Sequence, residues 1–302
     1  MPEPFIDALK VALLDLLHEL SDTNIPLIIV GGYGLYLKQL SLEANEEATL
    51  IPADLWPPPR ATEDIDLLFR TEIVADEIHW ARLRKALDHL GYDAMNEARF
   101  MRFQRKSAQG FMVGIDLLTG PLAPDINTDA LKITNHRVRS RSVEHLHARL
   151  AEDAVGLEHG LIRLPVHGVR SSGDDFKSEV LLPHPFTFLI MKLHALRDRV
   201  NDKRKGLAQH HAIDLFRILA MLNEDEFEEV KQRIRQHQGA MKVAEARLIV
   251  REYFADRESL GALRLQEYDA GLTRLWRANF DSVGEDPIDR FCATLQEAFG
   301  DR

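Results

Sequence analysis

Arg60-Ala61-Thr62-Glu63-Asp64-Ile65-Asp66-Leu67-Leu68-Phe69 is the stretch on which the reading of this chain turns. Within it, Ile65, Leu67 and Phe69 alternate with Asp64, Asp66 and Leu68, the period-two pattern of a strand with one buried face. Side chains two apart on a strand project from the same side, so Asp64 and Asp66 form a carboxylate pair. Such a pair can share a hard divalent cation, which takes oxygen ligands and leaves positions open for substrate phosphates. A solvated polar strand start has the same pattern, so the flanking sequence has to decide.

Upstream, Pro26-Leu27-Ile28-Ile29-Val30 is an apolar, β-branched run broken by Gly31-Gly32-Tyr33-Gly34 before Leu35-Tyr36-Leu37-Lys38. A strand that passes into a helix through glycines offers backbone N–H groups at a helix N-terminus, which suits a triphosphate. It is not a dinucleotide-binding fingerprint, because Leu37 stands where the last glycine of G-x-G-x-x-G would fall. Nor does a Gly-Lys-Ser/Thr follow to make a P-loop. An ordinary strand-to-helix turn uses the same glycines. Downstream, Phe111-Met112-Val113-Gly114-Ile115-Asp116-Leu117-Leu118 is a further apolar strand with one acid inside it. An unpaired carboxylate among such neighbours is costly, which points to a metal or a charged partner; a strand-end Asp facing water is the alternative.

Gly-Gly, then Asp-x-Asp on a strand, then a lone Asp on a later strand resembles the nucleotidyltransferase fold of the polymerase-beta-like superfamily. That resemblance implies two Mg²⁺ ions, with Asp64 and Asp66 as ligands of both and Asp116 as ligand of the catalytic one. It also implies that Asp116 activates or positions the attacking group.

At 302 residues the chain is long enough for one large or two medium domains, and 45% hydrophobic and 28% charged residues are ordinary for a globular protein. Met1-Pro2-Glu3-Pro4 carries no basic leader, and no apolar run approaches membrane-spanning length, so no membrane association is expected. The single cysteine, Cys292, excludes an internal disulfide and a multi-cysteine zinc site and fits a cytoplasmic location. A formal net charge of −10 argues against a general nucleic-acid coat. Basic residues are nevertheless clustered at His136-Arg137-Val138-Arg139-Ser140-Arg141 and from Arg197 to Lys205. A solvated face accounts for such runs more often than a binding site does.

Along the chain, spacing predicts helices over Phe5–Leu20, Leu35–Leu42 and Glu72–Leu90, the last stopped by Gly91. Residues 41–59 read as a surface loop, acidic and then proline-rich, that delivers Arg60 to the site. Arg99–Gln104 and Phe111–Leu118 read as a hairpin. A helix is expected between Val143 and Ala151, a strand over Leu161–Val166, and a linker over Arg170–Lys177. From Pro185 onward the pattern is helical throughout: Phe186–Val200, His210–Leu222, Glu224–His237, Met241–Phe254, Leu260–Leu275 and Pro287–Phe299. The expected fold class is α+β, a nucleotidyltransferase-fold mixed β-sheet domain over residues 1–180 followed by an α-helical bundle domain over 181–302.

In the first of these later helices Lys192, Ala195 and Arg199 share one face, and Asp214 opens an apolar helix after His210-His211. Surface cations on amphipathic helices commonly look like Lys192, and Arg197 and Arg199 have Asp198 and Asp202 nearby as partners. His194, His210 and His211 lack a carboxylate or cysteine at familiar zinc spacing and read as satisfied polar residues. Thr62 and Arg60 are equally compatible with shaping a turn and carrying a surface charge.

Taken in order, Gly-Gly, Arg-x-Thr-x-Asp-x-Asp, Lys-x-x-Ala-Leu-x-x-Arg and an Asp-Leu helix resemble the AbiEii/AbiGii toxin family, nucleotidyltransferases of bacterial type IV toxin–antitoxin systems. The resemblance spans Leu27 to Met221. It departs in the Pro-rich insertion before Arg60 and in His210-His211-Ala212-Ile213-Asp214, where many members read Arg-Asp-x-x-Asp. It implies a transferase that uses NTP as substrate and moves an NMP to RNA, such as a tRNA 3′ end, or to a protein hydroxyl. It further implies a possible cognate antitoxin. On this reading Asp64, Asp66, Asp116 and Lys192 are catalytic. Gly31, Gly32, Tyr33, Arg60, Thr62, Lys192, Arg199 and Asp214 bind the nucleotide, with Lys192 and Asp214 reaching the cleft from the helical domain. The alternatives are a small-molecule, aminoglycoside-like acceptor, for which Glu224-Asp225-Glu226 and Glu228-Glu229 offer acidic groups, and a catalytically silent nucleotide-binding module.

Overall fold

The computed structural model of the protein describes residues 3–57, 59, 62–123, 126–268 and 286–300. It divides into two compact units. One takes Met1–Lys38, Ala61–Glu152 and Leu157–Pro183; the other takes Gln39–Arg60, Asp153–Gly156 and His184–Arg302.

The first unit is built on a ten-stranded mixed sheet. Its strands are β1 (Ile28–Val30), β2 (Asp64–Phe69), β3 (Asp93–Ala94), β4 (Arg102–Lys106), β5 (Met112–Thr119), β6 (Leu131–Thr134), β7 (Arg137–Ser140), β8 (Ala148–Leu150), β9 (Ile162–Val169) and β10 (Asp175–Leu182). The order across the sheet is β6-β7-β8-β5-β2-β1-β10-β9, with the β3–β4 pair joined to it through β5. The alternation read in β2 is realised: Ile65, Leu67 and Phe69 are fully buried, as are Val113, Ile115 and Leu117 of β5. Burying each such side chain contributes about 1.5–3 kcal/mol, so the register of these central strands is strongly specified. Helix α1 (Glu3–Glu19) packs on the sheet through buried Leu9, Leu13 and Leu16. Trp80 stacks edge-on against Phe69 at 5.5 Å and donates its indole N–H to the Leu146 carbonyl at 3.0 Å.

The β4–β5 hairpin forms as expected, with Lys106 opposite Met112. Elsewhere local signals were overridden. Helix α2 (Gly31–Asn45) begins at the glycines themselves rather than after them, because Gly31 turns the chain in one residue at φ +70°. The expected helix over 72–90 is two, α3 (Thr71–Ala75) and α4 (Glu77–His89). Asp76 lies between them and accepts from the His79 backbone N–H at 3.0 Å, so capping wins over continuation. Residues 143–151 are not helical: Ala148–Leu150 pairs as β8 between β5 and β7. The polar stretch from Arg170 is the tight turn of the β9–β10 hairpin rather than a linker, with Gly173 at φ +91°. Turn and linker share the same residue types, and only the strand pairing tells them apart.

The second unit is helical: α5 (Pro185–Arg199), α6 (Gln209–Ala220), α7 (Glu224–Gln236), α8 (Met241–Tyr253), α9 (Leu260–Glu267) and α10 (Pro287–Phe299). Helix α6 is its centre, with Ala212, Ile213, Leu215 and Phe216 buried, and Phe291 packs tilted against Phe216 at 5.5 Å and edge-on against Phe254 at 5.4 Å. A capping box starts α7: Asn223 Oδ1 accepts from Glu226 N at 2.8 Å while Glu226 Oε2 accepts from Asn223 N at 3.3 Å. The proline-rich insertion is no free surface loop. Ile51, Leu55 and Trp56 are buried, Trp56 donates to the Ile51 carbonyl at 2.7 Å, and Leu50 donates its N–H to the Leu222 carbonyl. Its apolar residues outweigh its prolines. The final part of the helix expected over 260–275 lies outside the described residues.

Candidate active site

The pattern of β2 places Asp64 and Asp66 on the face opposite the core, and the sheet then adds the third acid. In the parallel pairing of β2 with β5, Asp66 stands directly beside Asp116 and Asp64 beside Gly114. On the other side of β2, Val30 pairs with Asp66, which brings the start of α2 against the carboxylate. Gly31 is required there twice over. Its φ is positive, and a Cβ on it would stand 1.8 Å from Asp66 Oδ2. Only a residue without a side chain lets the acid and the helix start approach this closely.

Thr62 is buried and donates its hydroxyl to Asp64 Oδ1 at 3.1 Å, which orients that carboxylate. Arg102 of β4 sits opposite Asp116 in the antiparallel ladder. Its guanidinium is 3.3 Å from Asp64 and 3.6 Å from Asp116. Gly114 makes room for it, since a Cβ there would meet Arg102 Nη2 at 3.1 Å and Asp64 Cβ at 3.2 Å. Burial pushes the Asp116 carboxyl up to about 6; nearby Asp64 pushes the same way, while Arg102 and, more weakly, Arg149 oppose it.

Three carboxylates on one face are the hard oxygen donors a divalent cation takes, so the donor chemistry fits Mg²⁺. As they stand, however, no group of three or more His, Cys, Asp or Glu among the described residues closes on an ion. Arg102 and Gly114 are the site residues that sequence reasoning missed. The signal available for Arg102 was its place on the expected hairpin strand beside Asp116, with no rule to give its register.

The remaining expected residues fall as follows. Tyr33 is buried with its ring stacked on Tyr36 at 6.1 Å, and burial raises its phenol pKa. Gly32 is buried in the first turn of α2. Arg60 lies outside the described residues. In the helical unit Lys192 of α5 donates to Asp214 of α6 at 2.7 Å, both buried. Arg199, on the same face of α5, donates to His211 Nε2 at 2.6 Å. That contact needs a neutral imidazole, and burial, with Lys192 next, lowers the His211 pKa accordingly. His194 Nε2 is bonded to the Lys242 carbonyl at 2.9 Å.

The family model described as nucleotidyl transferase AbiEii toxin, type IV toxin–antitoxin system, matches residues 54–299. No curated protein matches the chain. A solved structure of an antibiotic-resistance factor, ANT(2'')-Ia, is similar over 77% of this chain and 98% of its own, at 13% identity and a TM-score of 0.34. A likeness that weak fixes neither the fold nor the chemistry.

Proposed function

This chain belongs to the AbiEii nucleotidyl transferase toxin family, and we propose that its acidic sheet face moves a nucleoside monophosphate from an NTP to a hydroxyl of RNA or protein. The observation that carries the proposal is the strand register that sets Asp116 beside Asp66, two residues from Asp64, against the Gly31 turn. Asp64, Asp66 and Asp116 would hold Mg²⁺, which when bound supplies neutralisation of the triphosphate charge.

The chain's own residues do the rest. Backbone N–H groups at Gly31 and Gly32, in the first turn of α2, face phosphate oxygens. Thr62 holds Asp64 in one orientation. Asp116, with a carboxyl raised to about 6, is ionised at neutral pH yet basic enough to take the acceptor hydroxyl proton. The hydroxyl oxygen bonds to the α-phosphorus, the bond from that phosphorus to the bridging oxygen breaks, and pyrophosphate leaves. In this reading Lys192 binds nucleotide phosphate, and Tyr33, Arg60, Arg199 and Asp214 complete the nucleotide-binding set. The sheet unit then binds NTP and Mg²⁺, and the acceptor is a tRNA-like 3′ end or a protein hydroxyl. The consequence is growth arrest in a bacterial cytoplasm, relieved by a cognate antitoxin.

The test incubates purified protein with Mg²⁺, each α-³²P-labelled NTP in turn, total RNA and cell protein, alongside Asp64→Asn/Asp66→Asn protein. Label in RNA or protein with the wild type alone is the expected result and names acceptor and base together. Label in neither, despite NTP binding, overturns the macromolecular acceptor and favours a small-molecule acceptor or a silent module.

A further inference from the structure

The basic run at 136–141 takes no part in the site, and the sheet gives it a position that a solvated charge run does not need. The residue pairs Asp66–Asp116, Leu118–Arg149, Arg149–Arg137, Arg137–Thr134 and Arg139–Lys132 are direct cross-strand neighbours. Asp116 and Leu118 lie two apart on β5, and Arg137 and Arg139 two apart on β7. All of these side chains therefore share one face of the sheet, the face that carries the acids. The opposite face at β7 and β8 is the core, with Val138 and Ala148 buried. From β5 out to β6 the track crosses three strand spacings, about 14 Å at ~4.8 Å each.

Two of these neighbour pairs, Arg137–Arg149 and Lys132–Arg139, put like charges directly opposite one another, an arrangement that destabilises a sheet. Among the described residues no carboxylate lies within ion-pair distance of Lys132, Arg137, Arg139 or Arg149, Asp116 acting on Arg149 only at longer range. Lys132, Thr134, Arg137 and Arg139 line a cavity of about 290 Å³ together with His145 and His147, and Glu144 is the acid on its wall. Phe100 supports this wall, its ring 4.6 Å from that of His145 and 5.5 Å from that of His147. His147 is anchored by the Arg99 carbonyl at 2.6 Å; burial lowers its pKa, and the field of Arg137 and Arg139 adds to that. Like charges held side by side, with Asp116 acting on Arg149 only at longer range and Glu144 the one acid on the cavity wall, suit an outside anion that bridges several cations at once.

We propose that Lys132, Arg137, Arg139 and Arg149 form a track that binds the sugar–phosphate backbone of single-stranded RNA on the same sheet face as the acid triad. A string of phosphates fits cations spread over three strands, whereas a lone anion would engage only some of them. As a route for the acceptor strand this rests on the transferase reading; as an RNA-binding site it does not.

The test measures fluorescence anisotropy of a labelled single-stranded RNA oligonucleotide across a salt series, without NTP. It compares full-length wild type, Arg137→Gln/Arg139→Gln, Lys132→Gln, the control Arg163→Gln on β9, and Asp64→Asn/Asp66→Asn. The double variant is expected to bind about tenfold more weakly at low salt, with a log–log salt slope shallower by about 1.4 for two lost phosphate contacts. Lys132→Gln should lose about half of that slope change, and thermal melts of both should match or exceed wild type as repulsion is relieved. The control should bind as wild type, and Asp64→Asn/Asp66→Asn, which removes two negative charges from the same face, at least as tightly. Unchanged binding in the double variant, or an equal loss with Arg163→Gln, overturns the track. Binding that behaves as expected, with no label reaching RNA or protein in the transfer assay, would leave the track standing and overturn the macromolecular acceptor instead.

Discussion

The acidic face of the sheet unit and the Lys192–Asp214 pair of the helical unit both set carboxylates beside cations, the first half-buried and the second sealed. Arg102 stands 3.3 and 3.6 Å from Asp64 and Asp116, with these side chains 25–35% exposed. Lys192 and Asp214 meet at 2.7 Å with 9% and 0% of their side chains exposed. A loose, half-wet arrangement keeps carboxylate lone pairs open to an incoming cation and guanidinium N–H groups open to a phosphate. A sealed pair is held by its own partner, so a phosphate reaches Lys192 only by competing with Asp214. Of these two sites, the one on the sheet holds exchangeable charge and the one between α5 and α6 holds fixed charge.

The sharpest way to break this contrast is to remove one member of the sealed pair. Asp214→Ala leaves a buried ammonium without its counter-charge and should cost about 3–5 kcal/mol in denaturant unfolding. Lys192→Met/Asp214→Leu should recover most of that loss. A double variant as unstable as the single one would show that the pair organises the helices beyond its own charge.

Next in size is Gly31→Ala. Its Cβ must push the Asp66 carboxylate aside in a positive-φ backbone, which should cost about 1–3 kcal/mol and lower label transfer about a hundredfold. Transfer at the wild-type rate would show that Asp66 is not tied to this turn.

The two regions should also titrate in opposite senses. The Asp116 carboxyl is raised from 3.8 to about 6, so its folded form favours the proton. Stability from this group is full below about pH 4 and lost as pH rises through 6, at most about 2–3 kcal/mol before allowance for its 29% exposure. His211 is held neutral with its pKa lowered from 6.5, so its contribution is present above pH 6.5 and lost as pH falls below it. Hydrogen-exchange protection factors, corrected for the intrinsic pH dependence of amide exchange, should rise in β2 and β5 and fall in α6 between pH 7 and 5. Protection moving the same way in both, or Asp116→Asn leaving the sheet trend intact, would contradict the assignment.

The smallest effect expected is from Arg102→Gln. An exposed, imperfect ion pair contributes about 0–1 kcal/mol, so the fold should hardly change. Mn²⁺ binding, followed by electron paramagnetic resonance without nucleotide, should tighten because no guanidinium competes for Asp64 and Asp116. Weaker binding would show instead that Arg102 organises the carboxylates for the metal.

The parts of the site that could be read directly were those governed by local periodicity. Asp64 and Asp66 share a face because strand side chains alternate, and the Gly31 turn announces itself because few other residues accept its φ. The helices from Pro185 onward were legible for the same reason, their apolar stripes repeating at helical spacing. Where local chemistry was ambiguous the reading went astray. Turn residues at 170–174 look like a linker, Asp76 caps a helix inside a helical pattern, and residues 143–151 form a strand only because β5 and β7 stand on either side.

What sequence alone determined, then, was the identity of the acids, the turn before them, the strand that carries two of them and the helical character of the second half. Tertiary structure decided that Asp116 lies beside Asp66, that Arg102 stands between Asp64 and Asp116, that Lys192 meets Asp214, and that four cations line up on the acid face. Each of these depends on which strand or helix pairs with which, and in what register. Register is set by burial summed over whole elements rather than by any short motif, so no window of sequence contains it.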